Sequence, residues 1–252
     1  MLVKSFWVAL ATYSAIPVPQ FDWSEKNMKY AICFFPAVGL FCGGALALWY
    51  SFCCRIGVSA VLFAAVAASL PLLITGGIHM DGFMDTVDAL ASHQSRERKL
   101  EIMKDSTCGA FASLYCGVYL LLTFGLLHEL YAAEKVWVLC PLYVVSRGLS
   151  AFCAVTMPSA RKGGMLRAYT KDASKVTAVI VGLAAAIFAG AGMAAISLLP
   201  ALGAVGCALL TVLVYRMFAM KQFGGVTGDT AGFFLQLCEL TMLLGAWMGG
   251  LL

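Results

Sequence analysis

The chain has 252 residues, of which 62% are hydrophobic and only 12% are charged. Soluble domains carry about 25% charged residues, so this composition excludes an ordinary soluble protein and indicates one that crosses a membrane several times. The net charge of +4 is small, and the basic residues do not gather in one patch with aromatic residues, so no nucleic-acid partner is indicated. Most of the ten cysteines lie inside apolar runs without metal-site spacing, which predicts free thiols.

The first apolar run, residues 5–18, ends at Pro17 and Pro19. It is short for a membrane span, which favours an interfacial or re-entrant segment and leaves an eighth span open. Runs of spanning length then recur at residues 32–50, 58–75, 108–127, 136–157, 176–195, 201–220 and 231–251. They predict an all-α fold, a polytopic membrane bundle of about seven transmembrane helices, organised as a single domain over residues 1–252.

The distribution of positive charge orients this bundle. When the N terminus is placed in the cytoplasm, the outer loops hold only Arg55 and Lys135 of the 17 Lys and Arg residues, and most of the others fall on the cytoplasmic side. The polar segments near residues 81–105, 158–175 and 221–229 then share that side. We therefore expect an active site that faces the cytoplasm.

Three carboxylates, Asp81, Asp85 and Asp88, follow the second long run at spacings of four and three residues. On a helix they share one face and repel one another. Aspartate oxygens suit Mg²⁺, and the nearby glycines at positions 76, 77 and 82 let the backbone approach a ligand closely. The alternative is an ordinary solvated helical turn.

Other polar residues near this side are candidates for substrate contacts. Lys104 and Asp105 adjoin the next span and are placed to touch phosphate or metal, and His79 can hydrogen-bond a substrate. Arg147 and Glu239 lie inside predicted spans, where a charge nearly always faces a partner or a polar cavity. We expect them to form an ion pair or to share a substrate cavity, and both interpretations remain open.

A glycine-rich segment, residues 223–229, opens the last span. Gly224, Gly225 and Gly228 precede a predicted helix N terminus, where unpaired backbone N–H groups and the helix dipole attract phosphate. Asp229 can cap this helix or bind metal. Close packing between helices is the alternative reason for glycine here.

Several segments together resemble one known family. The run Thr75–Asp88, the segments Leu100–Ser106 and Ser146–Gly148, the segment Gly224–Thr230 and the N-terminal Ile16–Pro19 are similar, in the same order, to the cobalamin synthase family of adenosylcobinamide-GDP ribazoletransferases. Two positions depart from that pattern. Thr107 stands where the family commonly has Arg, and Ala89 stands where it commonly has Gly, and the first change removes a phosphate contact that Lys104 could supply.

The resemblance implies a multi-pass enzyme of the bacterial inner membrane that completes vitamin B12. It implies transfer of the cobinamide phosphate of adenosylcobinamide-GDP to the 5′-hydroxyl of alpha-ribazole or alpha-ribazole 5′-phosphate, with release of GMP and dependence on Mg²⁺. Whether the protein forms a homo-oligomer is left open.

The residues of the resembling segments receive roles on this basis. One of the carboxylates takes the proton of the attacking hydroxyl. The expected catalytic residues are Asp81, Asp85, Asp88 and Asp105, and the expected metal ligands are Asp81, Asp85, Asp88 and Asp229. The expected substrate-binding residues are His79, Lys104, Arg147, Gly224, Gly225, Thr227, Gly228 and Glu239.

Two other functions fit parts of the pattern. A CDP-alcohol phosphotransferase also uses clustered aspartates in a membrane site, but its usual first block carries Ala-Arg after the glycine, whereas here Phe83 and Met84 follow Gly82. A secondary transporter could use Arg147 and Glu239 as an ion path, but no internal repeat supports it.

Overall fold

The computed structural model describes residues 2–19, 24–105, 107–161, 163, 166 and 174–251. This part of the chain is helical, with one isolated parallel β-bridge between Ser159 and Val226. The 3₁₀ turns Ala31–Phe34 and Val136–Leu139 lead into α3 and α8. The helices in chain order are α1 (Leu2–Tyr13), α2 (Glu25–Met28), α3 (Phe35–Ile56), α4 (Ala60–Thr75), α5 (Ile78–Ala91), α6 (Arg96–Ile102), α7 (Ala110–Ala132), α8 (Leu142–Thr156), α9 (Lys175–Ile196), α10 (Leu198–Phe223) and α11 (Gly228–Gly250).

Six segments of the described chain are long and apolar enough to cross a membrane: α3 and α8 with their 3₁₀ turns, and α7, α9, α10 and α11. Helices α4 and α5 pass the same test together but meet at 94°, so they add a seventh crossing when counted as one broken span. The predicted helical bundle is confirmed. Helix α1 has 12 residues and rises only about 18 Å at 1.5 Å per residue. It is therefore too short for the roughly 30 Å hydrocarbon layer, as predicted for residues 5–18.

Two consecutive glycines make the sharp corner between α4 and α5. Gly76 and Gly77 have φ angles of 63° and 77°, in the left-handed region that favours glycine. The segment after α1 is tied to this corner, because the N–H of Ala15 donates to the carbonyl of Ile74 at 2.8 Å. We take α4 as the crossing and α5 as a helix that lies along the face of the bundle, outside the spans.

Glycines also set how closely the spans pack. On α3, Gly39 and Gly43 lie against the carbonyl groups of Tyr143 and Cys140, and a Cβ at either glycine would clash with them. Gly203 of α10 faces an equivalent glycine of α11 in the same way. Such small residues allow helix backbones to approach closely within a membrane.

Helix α8 lies at the centre, as the most buried of the six spans described. All ten cysteines are free thiols, as predicted.

Successive crossings bring three segments to one face: α5 with α6, residues 157–161, and the turn before α11. They contact one another directly. The Val226 N–H donates to the carbonyl of Pro158 at 2.9 Å, and the Lys99 ammonium donates to Gln222 Oε1 at 2.6 Å. On the opposite face the connections are only a few residues long, at 57–59, 133–135 and 197.

Candidate active site

Helix α5 lies across the N-terminal ends of α7 and α11, and two glycines allow the close contact with α11. A Cβ on Gly82 would lie 2.8 Å from the backbone of Asp229, and one on Gly232 would lie 2.8 Å from the carbonyl oxygen of His79. The apolar side of α5 is anchored in the bundle by Phe83, which stacks on Phe233 of α11 with ring centroids 5.5 Å apart. This packing brings the aspartates of α5 to the first turn of α11.

The carboxylates of Asp81, Asp85 and Asp229 form an acidic cluster at this junction. Asp81 is exposed, and Asp85 and Asp229 are partly buried. Burial, followed by the negative charges of Asp81, Asp229 and Asp88, raises the pKa of Asp85 to about 7. The structure thus unites the predicted Asp81 block and the predicted Gly-Asp block, which lie more than a hundred residues apart in sequence.

A cation from a third segment joins the cluster. Arg161 Nη1 lies 3.1 Å from Asp229 Oδ2, and its Nη2 donates to the carbonyl of Leu100 at 3.0 Å. The segment carrying Arg161 is held beside the turn before α11, because the N–H of Ala160 donates to the carbonyl of Val226 at 3.0 Å. Arg161 belongs to the most basic loop, of which Lys175 is also described, at the start of α9, whereas Lys162, Arg167 and Lys171 lie outside the described residues.

Asp88 has a different position from the other two α5 aspartates. Its oxygens accept hydrogen bonds from the N–H groups of Gly109 at 2.6 Å and Ala112 at 2.8 Å. These are donors at the start of α7 that have no partner within that helix. Asp88 therefore caps α7, which gives it a structural role that the spacing along α5 did not indicate.

Asp105 and Lys104 also lie apart from the acidic cluster. Asp105 Oδ1 accepts hydrogen bonds from the Thr107 N–H at 3.0 Å and from its hydroxyl at 2.7 Å. These bonds lower the pKa of Asp105. Asp105 lines a shallow pocket beside Asp88, and Lys104 is exposed next to it. Thr107, the departure from the family pattern, is thus the hydrogen-bond partner of Asp105.

Most N–H groups of the glycine-rich turn, which was predicted to hold phosphate, already donate within the protein. The N–H groups of Gly224 and Gly225 donate to carbonyl groups at the end of α10, that of Val226 donates to Pro158, and that of Thr227 donates to the Thr230 hydroxyl at 2.8 Å. The Thr227 hydroxyl in turn accepts from the Thr230 N–H at 3.1 Å, which completes a capping box. Of the predicted group, Gly228 remains beside the cavity described below.

Arg147 and Glu239 form the predicted ion pair. Arg147 Nη1 lies 2.6 Å from Glu239 Oε1, and the two side chains are only 1% and 4% exposed. Ser146 Oγ also donates to Glu239 Oε1 at 3.0 Å, and Arg147 Nη1 donates to the carbonyl of Tyr143 at 3.1 Å. The pair joins α8 to α11 inside the bundle. This geometry supports the structural interpretation over direct contact with substrate.

A cavity of about 270 Å³ opens beside the acidic cluster. Four of the predicted residues line it: His79, Asp81, Gly228 and Asp229. Sequence reasoning missed much of the remaining wall, because these residues belong to helices that are distant in sequence and mostly apolar. The missed residues that matter here are Thr12, Tyr13, Ile32, Phe35, Ser150, Ala151 and Ala154. The only sequence signal was that each lies near the same end of its apolar run.

The acidic cluster fits a divalent cation by the chemistry of its donors. Carboxylates that repel one another, as the raised pKa of Asp85 records, are stabilised when a hard cation lies between them. Within the described ranges, no three His, Cys, Asp or Glu side chains already converge closely enough to hold a metal ion. Mg²⁺ usually takes one or two carboxylates together with water and substrate phosphates, so an open arrangement of this kind suits it.

Comparison with known proteins supports the resemblance found in the sequence. The sequence model of a family described as cobalamin-5-phosphate synthase matches residues 5–247. A protein of Lachnoclostridium phytofermentans named adenosylcobinamide-GDP ribazoletransferase is 41% identical over 94% of this chain and 91% of its own length. Proteins of the same name from Desulfitobacterium hafniense and Clostridium botulinum (strain Alaska E43) are 33% and 31% identical, each over 97% of both chains. No solved structure matches the chain.

Proposed function

The chain belongs to the cobalamin-5-phosphate synthase family, and from this premise we propose that it catalyses the transfer for which its relatives are named. The cobinamide phosphate of adenosylcobinamide-GDP passes to a hydroxyl of alpha-ribazole or alpha-ribazole 5′-phosphate, GMP leaves, and adenosylcobalamin or its 5′-phosphate forms. The observation that carries this proposal is the acidic cluster of Asp81, Asp85 and Asp229 beside a cavity. Family membership favours this reaction over CDP-alcohol transfer and over transport.

The family description indicates which kind of hydroxyl attacks. A product that keeps a 5-phosphate requires an acceptor whose 5′-oxygen is already esterified, so the nucleophile in that case is a hydroxyl on the ribose ring. The same ring hydroxyl serves the acceptor without phosphate. The 5′-hydroxyl expected from the resemblance is then the position of the optional phosphate. The new bond joins this ring oxygen to the cobinamide-side phosphorus, and the bond from that phosphorus to the bridging oxygen of the diphosphate breaks, so that the bridging oxygen leaves with GMP.

We propose that Asp81, Asp85 and Asp229 hold Mg²⁺ against the diphosphate. When bound, the ion neutralises phosphate oxygens and stabilises charge on the departing GMP. The raised pKa of Asp85 supports this assignment, because burial and the neighbouring carboxylates both disfavour its charge, and a cation between the carboxylates would offset them. A carboxylate at the edge of the cavity, Asp81 or Asp229, accepts the proton of the attacking hydroxyl.

Arg161 contributes the positive charge on the opposite side of the cluster. Its guanidinium now pairs with Asp229 at 3.1 Å and is 20% exposed, so a diphosphate that enters can reach it. A guanidinium fork matches phosphate oxygens in two-point hydrogen bonds. We propose that Arg161 orients the diphosphate while the carboxylates carry the metal.

The chain is a multi-pass membrane protein, and we propose that it lies in the bacterial inner membrane with the acidic cluster facing the cytoplasm. The support is charge asymmetry. The cluster shares its face with Arg96, Lys99 and Arg161, whereas Arg55 and Lys135 lie at the short connections on the opposite face. Cytoplasmic loops carry the excess of Lys and Arg in such proteins.

The test is a product assay on purified protein in lipid nanodiscs with adenosylcobinamide-GDP and alpha-ribazole. We expect GMP release equal to cobalamin formation, with both abolished by chelation and restored by Mg²⁺. Asp81→Asn should lose the activity, and Glu101→Gln, at an exposed acid of α6, is the matched control that should keep it. Cobalamin formed at the full rate without a divalent cation would refute the metal assignment, and no product from folded protein would refute the reaction.

A further inference from the structure

The lining of the cavity beside the acidic cluster has two unlike parts, which we call its acidic end and its aromatic end. The acidic end consists of the carboxylates Asp81 and Asp229. The aromatic end consists of three rings in mutual contact: the Tyr13 and Phe35 centroids lie 4.4 Å apart, and His79 lies 5.5 Å from Phe35 and 6.3 Å from Tyr13. An apolar wall with a few polar groups is typical of a site for a small organic ligand. The proposed metal chemistry uses only the acidic end.

His79 supplies a polar atom that the protein itself does not use. Its residue is only 7% exposed, and its Nε2 is buried without a hydrogen-bond partner among the described residues. Buried polar atoms are nearly always hydrogen-bonded in native proteins, and His79 lines the cavity, so its unpaired Nε2 indicates a partner on the ligand.

We propose that the aromatic end of this cavity binds the base of the ribazole acceptor. Ribazole is the riboside of a dimethylbenzimidazole, a flat ring system with two methyl groups and a single unsubstituted ring nitrogen. The ring packs against Tyr13 and Phe35, and the Nε2–H of His79 donates to that nitrogen. This inference rests on the function proposed above and adds which substrate occupies the cavity.

The shape and polarity of the cavity favour this base over the other parts of the substrates. A volume of about 270 Å³ lies just below the usual range of ligand sites, roughly 300–1,000 Å³, and is too small for a corrin ring. Guanine presents several donors and acceptors on its edges, and the side chains of Ile32, Ala151 and Ala154 in the cavity wall offer them no partner. Polar groups left unpaired in this way oppose binding. The benzimidazole needs only the single hydrogen bond that His79 offers.

This placement also orients the reaction. With the base held against the rings, the attached ribose occupies the same cavity as Asp81 and Asp229. The attacking hydroxyl is then close to the carboxylates that would hold the metal and accept the proton. When two reactants are held in this way, much of the entropy lost in bringing them together is lost on binding, before the chemical step.

The experiment separates the two substrates by their kinetics. We expect His79→Leu to raise the KM for alpha-ribazole at least tenfold, with little change in the KM for adenosylcobinamide-GDP, and His79→Gln, which keeps a donor, to recover part of the loss. Direct binding of alpha-ribazole alone, measured by titration calorimetry, should weaken in parallel. His128→Leu is the matched control, because His128 lies on α7 near the opposite face and is partly exposed.

Each other outcome contradicts the inference in a recognisable way. A change confined to the KM for adenosylcobinamide-GDP would assign the cavity to the guanosine, and unchanged values for both substrates would reduce His79 to a packing residue. Should His79→Leu fail to fold, Phe35→Leu takes its place with the same expectation for alpha-ribazole. Calorimetry needs no turnover, so ribazole binding that depends on His79 would support the inference even if wild-type protein formed no cobalamin, an outcome that would refute the proposed function alone.

Discussion

The two ionic sites of this protein show how burial separates a structural charge from a functional one. Arg147 and Glu239 lie inside the bundle, 2.6 Å apart, with side chains 1% and 4% exposed. The acidic cluster lies at the face of the bundle, where Asp81 and Asp85 share a helix and, within the described residues, Arg161 is the cation paired with the cluster. In the first site the two charges pair with each other. The second is a set of repelling charges that a ligand would stabilise.

The largest effect is expected from breaking the buried pair. Glu239→Leu leaves the Arg147 guanidinium uncompensated inside the bundle, which should lower the free energy of unfolding by about 3–5 kcal/mol. The double variant Arg147→Met with Glu239→Leu should recover much of that loss, because an apolar pair needs no compensation. Thermal unfolding in detergent, followed by circular dichroism, measures both.

The same double variant tests the predicted substrate contact of these residues. If the pair only joins α8 to α11, the double variant, once folded, should form cobalamin with the KM values of the wild type. A well-folded double variant with a strongly raised KM for either substrate would restore the interpretation that Arg147 and Glu239 bind substrate.

Activity and stability should change in opposite directions at the acidic cluster. Asp85→Asn removes a carboxylate that is partly buried beside Asp81 and Asp229, so metal-free protein should unfold at a slightly higher temperature. Product formation should fall by about 10²–10³-fold, the usual cost of losing one electrostatic stabiliser of a transition state. GMP release at saturating Mg²⁺ and thermal unfolding in chelator measure the two. A loss of stability that accompanies the loss of activity would instead give Asp85 a structural role like that of Glu239.

The sequence predicted the spans and the pairing of the two motifs better than it predicted individual roles. Apolar runs and their polar ends are local properties, so the crossings and the aspartates of α5 could be located from them. Arg147 and Glu239 could be paired because charges at that depth need partners. The wall formed by Tyr13 and Phe35 could not be foreseen, since it depends on how distant helices pack.

The glycine-rich turn shows a second limit of local reasoning. Glycines before a helix N terminus are typical of phosphate sites, and the sequence of residues 224–228 satisfies that pattern. In the fold, Gly225 instead permits close contact with Pro158, whose carbonyl a Cβ at that position would strike. The choice between a phosphate site and close packing depends on the contact with residues 158–160. The sequence of the turn itself does not indicate that contact.

A smaller effect is expected at Asp88, which shares a helix face with the acidic cluster but caps α7. Asp88→Ala should cost about 0.5–2 kcal/mol of stability, the range measured for lost helix caps. Asp88→Asn, which keeps an oxygen acceptor, should cost less and should retain activity within roughly tenfold of the wild type. Thermal unfolding and GMP release on the same preparations test this. An Asp88→Asn protein that folds normally and is as inactive as Asp85→Asn would return Asp88 to the metal ligands.

The smallest effect is expected at the ion pair between Arg98 and Glu101 on α6. Their atoms lie 2.8 Å apart, as close as those of many buried pairs, but the side chains are 62% and 60% exposed. Exposed pairs at this helical spacing contribute only about 0.3–0.5 kcal/mol, because water and salt screen them. Arg98→Ala should therefore change the unfolding temperature by little more than the experimental error, and even that change should disappear at high salt.

The pair formed by Arg161 and Asp229 has a similar distance between its charged atoms, but its side chains are only 20% and 25% exposed. Arg161→Ala should therefore raise the KM for adenosylcobinamide-GDP at any salt concentration. Equal behaviour of the two arginine variants would show that burial does not separate structural from functional charge in this protein.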